Sequence, residues 1–271
     1  KVAGLGEAPA GFVADQTIDA AGCVVCPGLI DLGARLNSIE AELAAAVAGG
    51  VTSVVVPPDA DPPLDEPELA DRLVHRGTEI GKARVLPLGA LTLGLNGERL
   101  AELAGLKKAG CVAFSQANRP VTDTEALLRA MEYAATFGFA VWMQPQDHWL
   151  ARNGIAHAGE VASRLGLAGI PVSAETIAIG TLLQLARDTG VRLHLTRISS
   201  AAGLTQIGKA QKEGLKVSCD VGIHHLHLTE NDIGFFDSQA RFDPPLRTQG
   251  DRQGLSAGVA RGVAAICSDH T

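Results

Sequence analysis

Residues 39–56 read "IEAELAAAVAGGVTSVVV". The first ten are rich in Ala, Leu and Glu, which favour a helix. Gly49-Gly50 then stop it, because glycine readily takes the left-handed conformation that closes a helix. A β-branched run, Val51–Val56, follows at once and is nearly continuous rather than alternating. That is the pattern of a strand buried on both faces of a parallel sheet. Helix, glycine stop and buried strand form one unit of an α/β fold.

The unit recurs in both directions. β-rich runs are expected at Val24–Leu32, Arg84–Leu88, Cys111–Phe114, Phe139–Met143, Val191–Leu195, Lys216–Val221 and Val263–Cys267. Helical patterns lie between them, at Glu66–His75, Glu98–Lys108, Thr124–Thr136 with Asp123 as its N-cap, Ala201–Glu213 and Asp251–Arg261. The fifth connection is long and carries two helices, near Ala158–Leu165 and Ala174–Thr189. With Val51–Val56 the β-rich runs number eight, and this alternation predicts a TIM-type (β/α)8 barrel over residues 23–271. A doubly wound open sheet is the alternative, but the glycines of Gly89–Gly97 are spaced wrongly for the dinucleotide fingerprint. Residues 1–22 read as one or two strands of a small side domain. No helix pattern follows the eighth strand, so the chain looks clipped at both ends.

Composition narrows the function. The 271 residues are 46% hydrophobic and 20% charged, with a formal net charge of −7. A nucleic-acid or membrane-surface partner demands clustered Lys and Arg, which this balance argues against. No apolar run reaches the length of a transmembrane helix. The five cysteines are an odd, sparse set that suits a reducing cytoplasm better than a disulfide framework. Cys23 and Cys26 form a C-x-x-C, but in the β-rich run Cys-Val-Val-Cys they read as two small apolar residues.

Catalytic groups of such a barrel sit at the C-terminal ends of its strands. The successive tips offer Asp31, Gly33 and Arg35; Asp59; Gln116 and Asn118; Gln144, Gln146 and Asp147; Arg197, Ser199 and Ser200; His224, His225 and His227; and Asp269 and His270. The third tip, Gly89-Ala90-Leu91, offers nothing. A zinc site needs at least three converging His, Asp, Glu or Cys ligands. Arg has no free lone pair, and Arg35 with Arg197 would put positive charge where a metal would sit. The histidines 224–227, with Asp269 and His270, either make a small metal site or hydrogen-bond wall groups. Strand alternation would send His224 and His225 to opposite faces. Ser199 and Ser200 have no evident His–Asp pair to activate them, and His194 reads as a core residue. Arg35, Arg197 and Arg247 either hold an acidic ligand or pair with Asp31, Asp59 and Asp269.

The stretch "CPGLIDLGARL" resembles the first barrel strand of the dihydroorotases, where the pattern is P-G-x-[IV]-D-x-H-x-H-x-R. The resemblance continues in order through "AAAVAGGVTSVVVPPDADPPLD", "ALLRAMEYAATFGFAV", "GLAGIPVSAETIAI", "RLHLTRISSAAGL", "DVGIHHLHLTENDI", "FDPPLRTQGDRQGL" and "AAICSDH". It spans nearly the whole chain and implies an amidohydrolase-superfamily barrel with a flanking β-sandwich, of which residues 1–22 would be a remnant. It also implies where the family's metal ligands would fall: on Gly33, Arg35, Gln116 or Ala117, Gln144, Arg197 and Asp269. Of these only Asp269 keeps a ligand side chain, and one Asp cannot hold a zinc pair. The substrate-carboxylate Arg falls on Asn37 and the substrate-contacting Asn on Asp59, while the Arg of N-P-P-L-R survives as Arg247. With His225 these are the candidate ligand-binding positions. The family carries a longer loop after Leu36, while here the chain passes almost directly into the helix; either that loop is deleted or a segment is absent from this sequence, in which case Asn37 does not correspond to the substrate Arg. This loss resembles the inactive dihydroorotase-like subunits that assemble with bacterial aspartate carbamoyltransferase. The resemblance therefore implies a cytoplasmic pseudoenzyme of pyrimidine biosynthesis, in a hetero-oligomer, with no metal or other cofactor. The alternative is an active, zinc-dependent dihydroorotase with a rebuilt site and Asp269 as general base.

Overall fold

The computed structural model describes residue 4, residues 6–8 and residues 10–270. Eight strands form one parallel sheet: β1 (Leu29–Asp31), β2 (Val51–Val56), β3 (Arg84–Ala90), β4 (Ala113–Ser115), β5 (Ala140–Met143), then, after the long fifth connection, β8 (Arg192–Leu195), β9 (Val217–Gly222) and β10 (Ala265–Cys267). The ends meet through a parallel bridge between Ala34 and His270, where the Arg35 amide donates to His270 O at 2.8 Å. Ser268 locks the seam by donating its amide (2.9 Å) and its hydroxyl to the Asp31 carboxylate. The sheet is therefore a nearly closed (β/α)8 barrel.

Helices α1 (Ile39–Ala48), α2 (Pro67–Ile80), α3 (Leu103–Lys108), α4 (Thr124–Thr136), α7 (Val172–Thr189), α8 (Ala201–Lys212) and α10 (Gln249–Ala260) line the outside. Strand residues facing them, such as Phe114, Val141, Leu193 and Leu195, are at most 2% exposed and meet Leu106, Met131, Ile179 and Ile207 from the helices. Inside the barrel, Val55, Leu88, Ala113 and Trp142 pack together, so the interior is a filled core and not a pore. No helix among the described residues is long and apolar enough to cross a membrane.

Several expectations need correction. The first strand begins at Leu29, not Val24, and no strand forms among the described residues before it; residues 1–3, 5 and 9 of the 1–22 segment, and Thr271, lie outside the described residues. The third helix covers only Leu103–Lys108, since a bridge between Thr92 and Leu100 holds the preceding chain. The fifth connection holds three helices, with α5 (His148–Ala151) and α6 (Glu160–Leu165) before α7, and a two-stranded parallel pair, β6 (Ala156–His157) with β7 (Gly169–Ile170). Residues 223–227 are not a strand tip: they form the one-turn helix α9 (Ile223–His227). The alternation argument therefore fails there. The rings of His224 and His225 lie 4.4 Å apart, centroid to centroid, because neighbours on a helix diverge by only about 100°.

Candidate functional site

The C-terminal mouth of the barrel is closed by two guanidinium groups. Arg35, just past β1, donates from Nε and Nη2 to Asp59 Oδ2 at 3.0 and 2.8 Å, and from Nη2 to Asn118 Oδ1 at 3.1 Å. Arg197, just past β8 and 8% exposed, donates to Gln144 Oε1 at 2.6 Å, to Asp269 Oδ1 at 3.3 Å and to the same Asn118 oxygen. Arg35 Nη1 also lies 3.7 Å from Asp269 Oδ1. The two cations share Asn118 and Asp269, so the Asp269 carboxylate sits between two guanidiniums while Asp59 faces Arg35 alone. Gln144 Nε2 and Asn118 Nδ2 donate to Asp243 at 3.2 and 3.3 Å, which ties the ring to the loop before Arg247.

The backbone aims these groups inward. Ala117, Arg197 and Asp269 follow β4, β8 and β10 and take positive φ values of 51°, 55° and 51°. For residues with a Cβ this conformation costs about 1–2 kcal/mol each, and such strain collects at functional sites. Beneath Arg197, Asp220 accepts from the Arg197 amide (2.8 Å), the Cys267 thiol (3.1 Å) and His194 Nε2 (2.8 Å). His194 is thus the satisfied core residue expected, with Ser218 on its other nitrogen and the Trp142 ring tilted against it, 4.1 Å away centroid to centroid. Burial pushes the Asp269 carboxyl above the usual range, and Arg197 and Arg35 oppose that push.

Space in the mouth is scarce. A cavity of about 30 Å³ remains among Gly33, Arg35, Trp142, Arg197, Asp220 and Asp269. A water molecule needs about 10–15 Å³ and a drug-sized ligand pocket runs to about 300–1,000 Å³. A substituted six-membered ring does not fit. A Cβ built on Gly33 would meet nothing nearer than Cys267 Cβ at 4.0 Å, so the backbone keeps room there for a side chain it lacks.

The structure gathers some predicted positions and scatters others. Arg35, Asp59, Gln144, Arg197 and Asp269 converge. Gln116 is buried but turned aside, with its carboxamide paired to the Thr92 hydroxyl at 2.8 and 3.1 Å. Asn37 is exposed before α1 and outside the ring. Arg247 pairs with none of the three Asp residues considered for it; it is buried and donates to Ile170 O (2.7 Å), His157 Nδ1 (3.0 Å) and Ser199 Oγ (3.1 Å). His225 is 2% exposed and donates to Pro245 O at 3.2 Å. His224 stacks on Phe242 at 4.1 Å, and burial beside Arg197 lowers it to about 4. Asp31 binds Ser268, not an arginine.

A second buried cluster escaped the sequence reading. Glu175, on the first turn of α7, is 3% exposed and accepts the amides and hydroxyls of both Ser199 and Ser200 at 2.5–3.0 Å. The signal was one carboxylate inside the apolar stretch "VSAETIAIG"; a buried charge must be paired. This pairing leaves neither serine free as a nucleophile.

The positions assigned by resemblance to a zinc pair do not fit that group. Gly offers no donor, two guanidiniums repel a divalent ion by on the order of 5 kcal/mol each at close range, and Gln144 is committed to Arg197 and Asp243. Among the described residues no group of three or more His, Cys, Asp or Glu is placed to hold a metal ion.

Comparison with known proteins agrees with the fold. The family profile described as "Dihydro-orotase-like" matches residues 22–202. The "Dihydroorotase-like protein" of Pseudomonas putida is 46% identical over 278 residues, covering 100% of this chain and 66% of that protein; that of Pseudomonas aeruginosa is 45% identical with the same coverage. A "Dihydroorotase" of Syntrophotalea carbinolica is 38% identical over 94% of this chain and 62% of its own length. The chain thus spans just under two thirds of these relatives. Among solved structures, L-hydantoinase (dihydropyrimidinase) from Arthrobacter aurescens superposes with a TM-score of 0.81 at 22% identity, covering 96% of this chain and 61% of that one. Dihydroorotase from Saccharomyces cerevisiae, in complex with 5-fluoroorotic acid, gives 0.71 at 16% identity, covering 90% and 70%. At these identities the structural matches speak for the fold.

Proposed function

Since this chain belongs to the dihydroorotase-like family, we propose that it is a member without hydrolytic activity, serving as a structural and regulatory subunit for aspartate carbamoyltransferase in cytoplasmic pyrimidine biosynthesis. One observation carries the first half: Arg35 and Arg197 occupy the mouth and share Asn118 and Asp269. A cyclic-amide hydrolase must polarise a ring carbonyl and deliver an activated water to it. Here the one surviving candidate, Asp269, is held by two guanidiniums, and the space above it takes about two or three waters. The role that remains open to such a barrel is a packed surface, since its apolar core needs no ion to form. The second half rests on the resemblance of the degenerate blocks to subunits that assemble with the carbamoyltransferase.

The test is co-expression with the aspartate carbamoyltransferase of the same organism, followed by sizing and both assays. The expected result is a shared high-mass peak, carbamoyltransferase activity that falls when the two are separated, and dihydroorotate hydrolysis at background. Ring opening above background sinks the first half. Separate elution with an undiminished carbamoyltransferase sinks the second.

A further inference from the structure

Beside the mouth, between α4 and α7, a cleft of about 120 Å³ opens over Gln144. Its floor is apolar and buried: Leu127, Met143 and Leu182 are 4%, 3% and 4% exposed. Its rim is polar: the hydroxyls of Thr122, Thr124 and Thr181 and the carboxamide of Gln146. The Thr181 hydroxyl donates to Ile177 O at 3.2 Å and keeps acceptor capacity, while a carboxamide both donates and accepts. Trp149, 67% exposed, stands at the entrance with the Arg152 guanidinium 5.6 Å from its ring centroid.

Size and lining select the occupant. An engineered cavity of about 150 Å³ takes one benzene ring, so this cleft holds a single ring and no more. The apolar floor suits the face of a ring, and the entrance tryptophan adds a surface for stacking. An amide and hydroxyls at the rim complement ring N–H and C=O groups. Among the described residues the lining includes no lysine or arginine, and Asp147 contributes a carboxylate that caps α5. An anion would therefore enter against the Asp147 carboxylate, while Arg152 at the entrance is engaged over the Trp149 ring and the exposed His148 is the lining's other titratable group.

We propose that this cleft binds a neutral single-ring heterocycle with adjacent N–H and C=O groups, a cyclic amide or imide, lying against Trp149. The site is separate from the closed mouth but shares a wall with it, since Gln144 lines the cleft and bonds Arg197 at 2.6 Å and Asp243 at 3.2 Å. It is independent of any carbamoyltransferase partnership.

Uracil is the probe, titrated into the purified protein by calorimetry and by tryptophan fluorescence. The expected result is a saturable single-site isotherm with a parallel quench, the quench vanishing in Trp149→Phe. Ala178→Phe, which fills the cleft from α7, abolishes the heat while leaving the melting temperature unchanged. Gln146→Ala weakens binding about fivefold, the worth of one hydrogen bond. Orotate, a similar ring bearing a carboxylate, binds at least about tenfold more weakly than uracil. No saturable heat with uracil up to its solubility limit overturns the proposal. So does binding that survives both the Ala178 and Gln146 substitutions unchanged, or orotate binding as tightly as uracil.

Discussion

Arg197 donates to three different side chains and to the Asp243 carbonyl at 3.3 Å, while being 8% exposed. Removing it alone would leave the largely buried Asp269 carboxylate with only Arg35, at 3.7 Å, as its cation, and breaking a buried pair usually costs about 3–5 kcal/mol. Arg197→Met is expected to lower stability by about 3 kcal/mol in urea titration, and Arg197→Met with Asp269→Asn to recover most of that loss. A single variant within about 1 kcal/mol of the parent would show that the pair is not what fills the mouth. His224 gives the opposite case. It faces Arg197 and His225, stacks on Phe242, and its buried Nε2 has no partner. Its folded value is depressed to about 4 from 6.5, so the unfolded chain takes up the proton first as the solution is acidified. Stability is fully present above pH 6.5 and is lost as pH falls toward 4, by about 1.4 kcal/mol per pH unit for one proton. His225, depressed to about 3 by burial and His224, adds to the same slope. Burial raises Asp269 and Glu230, and these two act in the opposite sense, adding stability as pH falls toward their unfolded values. His224→Phe keeps the stack and loses no side-chain hydrogen bond among the described residues. It is expected to flatten the pH 6.5–4 slope by about one proton, checked by denaturation at each pH. The absence of metal-ligating side chains was legible in the letters themselves, because the side chains of Gly33, Arg35 and Arg197 offer a metal ion no electron pair in any fold. Which acid each arginine meets was not, since Arg35–Asp59 and Arg197–Asp269 are tertiary contacts.

Barrel strands were readable because burial on both faces leaves β-branched runs such as Val51–Val56. Elements of a single turn leave no period to read, which is why α9 passed for a strand tip and why β6–β7 and α5 went unseen. Helix contacts were equally hidden. α8 and α10 approach so closely that a Cβ on Gly258 would lie 2.1 Å from Leu204 Cδ2, and one on Gly254 2.4 Å from Ala201 Cβ. Gly258→Ala therefore forces the helices apart or Leu204 out of its rotamer. Although alanine is the better helix former by about 1 kcal/mol, overpacking of this kind costs about 1–3 kcal/mol. The variant is expected to melt lower than the parent, and Gly258→Ala with Leu204→Ala to behave as a rescued overpacking, less destabilised than the sum of its parts. Gly208, on the same helix pair, has no neighbour closer than 3.4 Å, so Gly208→Ala should leave the melting temperature unchanged or raise it. Equal losses at 258 and 208 would mean that helix propensity, and not the α8–α10 approach, governs this face.

At the level of the whole molecule the question is what balances the carboxylates gathered at the mouth of the barrel. Positive charge is supplied at the centre of the C-terminal face by side chains just past β1 and β8, the first and sixth strands of the sheet, so it arrives with the fold and not from solution. The two arginines reach across the barrel, join loops after β2, β4, β5 and β10, and do so beside the seam where Ala34 and His270 close the sheet. Stability should then be independent of divalent cations. A site occupied by free metal at 100-fold its dissociation constant would contribute about 2.7 kcal/mol, and stripping it would lower the melting temperature by roughly 5–10 °C for a domain of this size. Exhaustive dialysis against a strong chelator is expected to leave the melting temperature unshifted, and excess zinc to give no rise. Replacing both arginines by alanine should reverse this, because Asp59 and Asp269 would face each other across an open mouth with no cation between them. That variant is expected to melt lower and to regain part of the loss on adding magnesium or zinc. A chelator-induced drop in the parent, matched by recovery on readdition of metal, would mean that an ion and not the arginine pair balances those carboxylates.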